Sequence, residues 1–209
     1  MAPSYDDFCA VAGPVSRETY ASVVAFEAAF RRWAARINLV APSTLDDVWR
    51  RHVLDSAQLS RIAPDALAWL DLGSGGGFPG AIIALILKDR PGASIDLVES
   101  NGKKAAFLRA TLADLGAPAR VHAERIEQIY AKILAPEVVT ARALAPLGKL
   151  LGLAEPWLGH GAKGLFHKGR EYLNEVKESA AEWEYDLVKH SSLVEADSVI
   201  LEVGNLRRR

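Results

Sequence analysis

Cysteine is almost absent from this chain. Among 209 residues Cys9 alone carries a thiol. It cannot form an internal disulfide or build a metal site by itself. Histidine is sparse as well. His122, His160 and His190 are scattered without metal-ligand spacing, so no metal is expected. No apolar run reaches the ~18 residues of a membrane span, even at Ala81–Leu87. Met1 to Ala12 carries Asp6 and Asp7 and no basic residue, whereas a secretory signal starts basic and turns apolar. A cytoplasmic protein without a membrane partner is the expectation. Nothing in the sequence speaks for an oligomer, so a monomer is expected.

What is present is a chain for one domain with a short appendage. Half of its residues are apolar and 24% are charged, with a net charge of −1. A near-neutral sum argues against a nucleic-acid binder, but the distribution is uneven. Arg31, Arg32, Arg36, Arg50 and Arg51 face only Asp46 and Asp47 in their stretch. From Glu171 to Glu202 acids far outnumber Lys177 and Lys189, and the chain ends Arg207-Arg208-Arg209. One end can meet a polyanion while the acidic stretch faces away. Solvated helix faces are the alternative.

Residues 16–36 read as a helix capped by Ser16, with Val23, Phe26, Phe30, Trp33 and Ile37 at helical spacing. Asn38 to Pro42 breaks it. Ser43 or Thr44 can cap a second helix with Asp46 and Asp47 in its first turn. A third helical stretch runs from His52 to Ile62, and Pro64 closes it. Residues 1–64 therefore read as a helical extension packed on a domain of residues 65–209.

In that domain apolar strands are expected at Leu67–Leu72, Ser94–Val98, Arg120–His122, Val138–Thr140 and Lys163–His167. Helical stretches alternate with them at Ala81–Lys88, Gly102–Leu115, Ile126–Leu134, Pro146–Leu158 and Glu171–Ala181. Trp183–Lys189 and Ser198–Val203 have no helix between them and read as an antiparallel hairpin. Such alternation predicts an α/β fold: a seven-stranded, mostly parallel sheet with helices on both faces.

The most informative segment is Asp71-Leu72-Gly73-Ser74-Gly75-Gly76-Gly77-Phe78-Pro79-Gly80, between the first strand and a helix. Glycines there let the backbone turn tightly and approach a ligand. Glu99 ends the next strand, where an acid accepts hydrogen bonds from ribose hydroxyls in nucleotide-type folds. A dinucleotide fingerprint would place Phe78 at its third glycine, which disfavours a nicotinamide-dependent oxidoreductase. A P-loop would need Gly-Lys-Ser/Thr, which is missing. The register Asp71, Gly73, Gly75, Gly77 resembles the first motif of Rossmann-like S-adenosylmethionine methyltransferases.

Further segments narrow the resemblance. Trp33–Leu39, Arg51-His52-Val53-Leu54-Asp55-Ser56, Gly77-Phe78-Pro79-Gly80, Glu99–Lys104 with Phe107-Leu108-Arg109, Ala141-Arg142-Ala143 and His167-Lys168-Gly169 occur in order. Together they resemble the RsmG (GidB) family, which methylates guanine N7 in small-subunit (16S) ribosomal RNA. Val40 stands where that family usually has Thr, and Gly76 where it has Ala or Pro. The last strand lacks the Arg-His pair the family often carries, which weakens an RNA contact there.

The resemblance implies S-adenosylmethionine as cofactor, contacted by Gly73, Gly75, Gly77 and Phe78. It places Glu99 at ribose, Ile126 and Glu127 near adenine, and Arg142 near the methionine end or the substrate. Asp71 holds the loop or the methionine amino group. Phe78 and Ile126 are also plausible packing residues, and Glu127 a plain helix N-terminal acid. No catalytic acid or base stands out. Arg142, Lys168 and His52 are candidates for positioning. Phosphate contacts fall to Arg36, Arg50, Arg51, Lys103, Lys104, Lys168 and Arg170. His52 and Asp55, three apart, can share a helix face, either over the cofactor or as a buried hydrogen-bonded pair. His167 is pocket-facing or core. The rival readings are a methyltransferase of a small molecule or protein, and a catalytically silent S-adenosylmethionine-binding module.

Overall fold

The computed structural model describes residues 2–133 and 135–209, with backbone alone for residues 42–44. Its centre is a seven-stranded sheet in the order β3-β2-β1-β4-β5-β7-β6. The strands are β1 (Ala68–Leu72), β2 (Ser94–Val98), β3 (Ala119–His122), β4 (Val138–Arg142), β5 (Lys163–Lys168), β6 (Trp183–Ser191) and β7 (Val199–Arg208). β1 to β5 are parallel. β7 runs antiparallel to both β5 and β6, which gives the expected terminal hairpin. The central strands are buried on both faces, so they read as apolar runs without alternation.

The order of strands reverses at β1, which lies between β2 and β4. Open α/β sheets bind ligands outside the carboxyl ends of the strands at such a switch point. The register pairs Leu72 with Val98 on one side and with Ala141 on the other. The residues that follow these three therefore converge: Gly73, Glu99 and Arg142.

The helices are α1 (Tyr5–Ala12), α2 (Arg17–Ala34), the short α3 (Asp55–Ala57) and α4 (Leu59–Ile62), α5 (Gly80–Ile86), α6 (Gly102–Asp114), α7 (Leu147–Leu158) and α8 (Tyr172–Ser179). Caps explain several starts. Ser16 Oγ accepts the Thr19 N–H at 2.9 Å to open α2, and Asn101 Oδ1 accepts the Lys103 and Lys104 N–H groups to open α6. α1 was not expected from the sequence. It begins with a capping box between Ser4 and Asp7.

Two expected helices differ. The stretch expected as a helix at 126–134 is a single 3₁₀ turn, Ile126–Gln128, followed by turns. Its end, Leu134, lies outside the described residues. The stretch from His52 to Ile62 is not one regular helix either. It begins inside a π-helix, Trp49–Leu54, and continues as α3 and α4. The proposed cap at Ser43 or Thr44 concerns side chains outside the described ones; the backbone of Pro42–Asp47 is 3₁₀.

Residues 1–64 and the domain after them share a core. Phe26 and Phe30 of α2 meet Phe78 at ring-centroid distances of 5.9 and 5.1 Å, and both also meet Phe107 of α6. Trp33, expected on the same stripe, lies at the edge of this cluster and is 36% exposed.

Candidate active site

The glycine turn leaves β1 and wraps over its end. Asp71 is buried beneath it. One carboxylate oxygen accepts the Thr140 hydroxyl at 2.8 Å and the other accepts the Gly80 N–H at 3.2 Å. Burial pushes this carboxyl up to about 6, and the hydrogen bonds from its neighbours limit the rise. Asp71 does not line the cavity outside the turn. Of its two expected roles, the geometry gives it the holding of the loop.

The glycines divide by task. Gly77 has φ +98, and a Cβ there would lie within 2.9 Å of Phe26, Ala81 and Leu108. Its missing side chain lets α2 and α6 close on the turn. Gly75 has φ +55, and a Cβ there would meet nothing nearer than the Gly73 carbonyl at 3.8 Å. Gly73, Gly75 and Gly76 line the cavity, and Gly77 does not. A ligand would therefore meet bare backbone at the front of the turn.

That cavity has a volume of about 690 Å³, within the usual range for small-ligand sites. Glu99 stands on its wall. Its carboxylate accepts the Gly75 N–H at 2.8 Å and the Asn101 N–H at 2.7 Å. Ile126 and Glu127 line the cavity too. Ile126 is buried while Glu127 is exposed.

Phe78 is buried and serves two surfaces at once, the aromatic core behind it and the cavity in front. His52 stacks on it at 5.1 Å with 23° between the planes. Neither ring nitrogen of His52 has a hydrogen-bond partner among the described residues. Burial, with Arg142 and Arg51 nearby, lowers this imidazole to about 3. Of the two readings for His52 and Asp55, the hydrogen-bonded pair is therefore absent. Asp55 instead accepts from Gln58 and faces Arg142 and His167.

Arg142 closes the wall from β4. It donates to the Arg51 carbonyl at 2.8 Å, lies 3.7 Å from Asp55 and sits 5.4 Å above the Phe78 ring. Burial lowers its pKa, opposed by the Asp55 and Asp71 carboxylates. The cavity combines a bare backbone edge, a carboxylate, an apolar ring and a guanidinium. That donor set fits a nucleoside with an amino-acid tail. Leu39 and Val40, from the family-like segment and just after it, line the wall as well; the sequence motifs gave no sign of Ala41, Leu144 and Leu153, which also line it and read as ordinary apolar residues.

The profile of the GidB family, described as rRNA small subunit methyltransferase G, matches residues 19–202. The chain belongs to this family. A ribosomal RNA small subunit methyltransferase G from Chelativorans sp. (strain BNC1) is 60% identical over 208 residues, 100% of this chain and 99% of that protein. One from Brucella canis is 57% identical, covering 98% and 96%. Among solved structures, the O-methyltransferase TomG from Streptomyces achromogenes in complex with S-adenosylmethionine superposes with a TM-score of 0.59. It is 14% identical, with 95% and 94% of the two chains covered, a likeness of fold alone. As a GidB-family protein the chain is an S-adenosylmethionine-dependent ribosomal RNA methyltransferase.

The basic candidates of this GidB-family chain separate once placed. Arg51 and Lys104 line the cavity, and Arg36 and Lys103 are exposed. Arg50 is engaged. It donates to the Val194 carbonyl and lies 3.4 Å from Glu195 in the β6–β7 loop. The acidic stretch thus touches the arginine-rich segment here and does not wholly face away. Arg170 pairs with Asp197 at the surface. Lys168 is buried and donates to the Ala145 carbonyl at 2.8 Å and to Glu175 at 2.6 Å. His167 is buried beside it and donates to the Asp55 carbonyl. No helix among the described residues is long and apolar enough to cross a membrane.

Proposed function

We propose that this chain methylates N7 of a guanine in small-subunit ribosomal RNA, with the cofactor seated in the 690 Å³ cavity. The observation that carries the reading is the convergence of Gly73, Glu99 and Arg142 at the switch point. Glu99 spends one lone pair of each oxygen on Gly75 and Asn101. A carboxylate has about four such sites, so two remain for ribose hydroxyls. Ile126 offers an apolar surface to the adenine, with Glu127 beside it. Phe78 and Arg142 fence the methionine end.

When bound, S-adenosylmethionine supplies a methyl group on a positively charged sulfur. Guanine N7 already carries an exposed lone pair, and no proton must leave it. The chain therefore needs no general base. Its work is to hold the base in line and to exclude water. The neutral, stacked His52 and the buried Phe78 furnish a dry wall for this. Arg51 and Lys104 at the cavity, with the exposed Arg36 and Lys103, are the groups that hold phosphates. An RNA substrate of this kind places the enzyme in the cytoplasm.

The test is methyl transfer from labelled S-adenosylmethionine to small-subunit RNA from a strain lacking the gene, mapped by nuclease digestion. Label at one guanine, as N7-methylguanosine, is expected. Label on another atom or base contradicts the assignment. Thermal stabilisation by S-adenosylhomocysteine and not by NAD checks the cofactor separately.

A further inference from the structure

A second cavity of about 450 Å³ adjoins the first. The two share the wall Arg142-Ala143-Leu144-Ala145. His167, Lys168 and Glu175 also line the second cavity. Three of its polar groups are not fully used by the fold.

His167 is buried, and burial lowers its pKa, so the ring is neutral. Its Nε2 lies 2.9 Å from the Asp55 carbonyl. A carbonyl only accepts, so Nε2 carries the proton. Nδ1 is then a bare acceptor, and it is buried without a partner among the described residues. That nitrogen is closed to solvent, so it is not itself open to a ligand in the cavity. Glu175 uses one oxygen for Lys168 and for the Leu147 N–H, both at 2.6 Å. Its other oxygen has no partner among the described residues. The Lys168 ammonium spends two of its three N–H bonds, on Ala145 and Glu175.

Glu175 and Lys168 therefore present an open acceptor beside an ammonium donor to the cavity. Guanine presents the complement along one edge: N1–H and the 2-amino group donate, and O6 accepts. Adenine presents a lone pair at N1, which a carboxylate repels. N7 lies on the neighbouring edge, beyond O6, free to face the shared wall. We propose that the second cavity receives the target guanine, with the open Glu175 oxygen accepting from its N1–H and 2-amino group and Lys168 donating to O6. The assignment rests on the N7-guanine reading above and adds the residues that select the base.

The test compares single-turnover methylation of RNA carrying guanosine at the labelled position with RNA carrying inosine there. Inosine lacks the 2-amino group and keeps N7, O6 and N1–H. The wild-type rate is expected to fall about tenfold on inosine. Glu175→Gln keeps an acceptor for the Leu147 N–H but turns the open oxygen into a donor. E175Q is expected to be slow on guanosine and to show a penalty of about twofold or less on inosine. The same inosine penalty in E175Q as in the wild type overturns the assignment. Stabilisation of E175Q by S-adenosylhomocysteine shows that its first cavity is intact. Should E175Q not fold, the wild type decides alone: equal rates on the two RNAs overturn the pocket, and a tenfold loss supports it. A wild-type protein that labels no guanosine RNA refutes the underlying reading, whereas an unchanged penalty refutes the pocket alone.

Discussion

At the scale of single residues, Asp71 and His52 show how burial sets charge at this site. Asp71 titrates near 6 in the fold because burial disfavours its charge, against about 3.9 in an unfolded chain. The folded state therefore holds its proton more tightly. The resulting stability is complete below about pH 4 and is lost as pH rises through about 6, roughly 3 kcal/mol in all. Asp71→Asn removes this dependence. The stability difference between wild type and D71N, measured by urea unfolding, should shift by about that amount between roughly pH 4 and 7. Parallel curves would show that Asp71 is not held as described. His52 has the opposite sign. Its folded pKa is about 3, so its contribution is present above the unfolded value near 6.5 and is lost as pH falls. Its imidazole NMR signal should stay flat from roughly pH 8 to pH 5, and an inflection near the ordinary histidine value would contradict its burial. The motif made Asp71 legible in the sequence, but not its role as a loop anchor. That role depends on Thr140, which sits 69 residues away and reaches it through the β1–β4 pairing.

At the scale of elements, the glycine turn separates folding from binding. Gly77→Ala forces a Cβ onto Phe26, Ala81 and Leu108 at positive φ. It should cost about 2 kcal/mol or more and lower the melting temperature. Gly75→Ala meets no such crowding. It should cost about 1 kcal/mol in stability and weaken S-adenosylhomocysteine binding about tenfold by calorimetry. The reverse pattern would mean that the front of the turn does not face the ligand. Strands were readable because β1, β2 and β4 are apolar runs bounded by turn residues. The π-helix Trp49–Leu54 was not, since no local signal marks one. Its wide turn is fixed by tertiary contacts, among them the Arg51 carbonyl that accepts from Arg142. The stretch after Ile126 failed as a helix for a related reason. Helical spacing of Ile126, Ile129 and Ile133 marks burial in the core, but only a 3₁₀ turn forms before the chain enters β4.

At the scale of the whole molecule, the fold places three independent signals in one place. The glycine turn, the acid after β2 and the arginine ending β4 are remote in sequence and adjacent at the switch point. That adjacency was foreseeable from strand–helix alternation, because a parallel sheet puts all its carboxyl ends on one side. The second cavity was not foreseeable. Glu175 looked like one acid among many in the charged C-terminal part, and only the packing of α8 on α7 brings it back to Lys168 at the end of β5. The shared core of α2, α6 and Phe78 ties the helical extension to the same site. The most direct check of the whole account is mass spectrometry of digested small-subunit ribosomal RNA from a strain lacking this gene. The strain is complemented either with the wild type or with Gly75→Ala. One N7-methylguanosine should be missing in the deletion, restored by the wild type and reduced by the variant. A complete set of small-subunit methylations in the deletion strain would contradict the account.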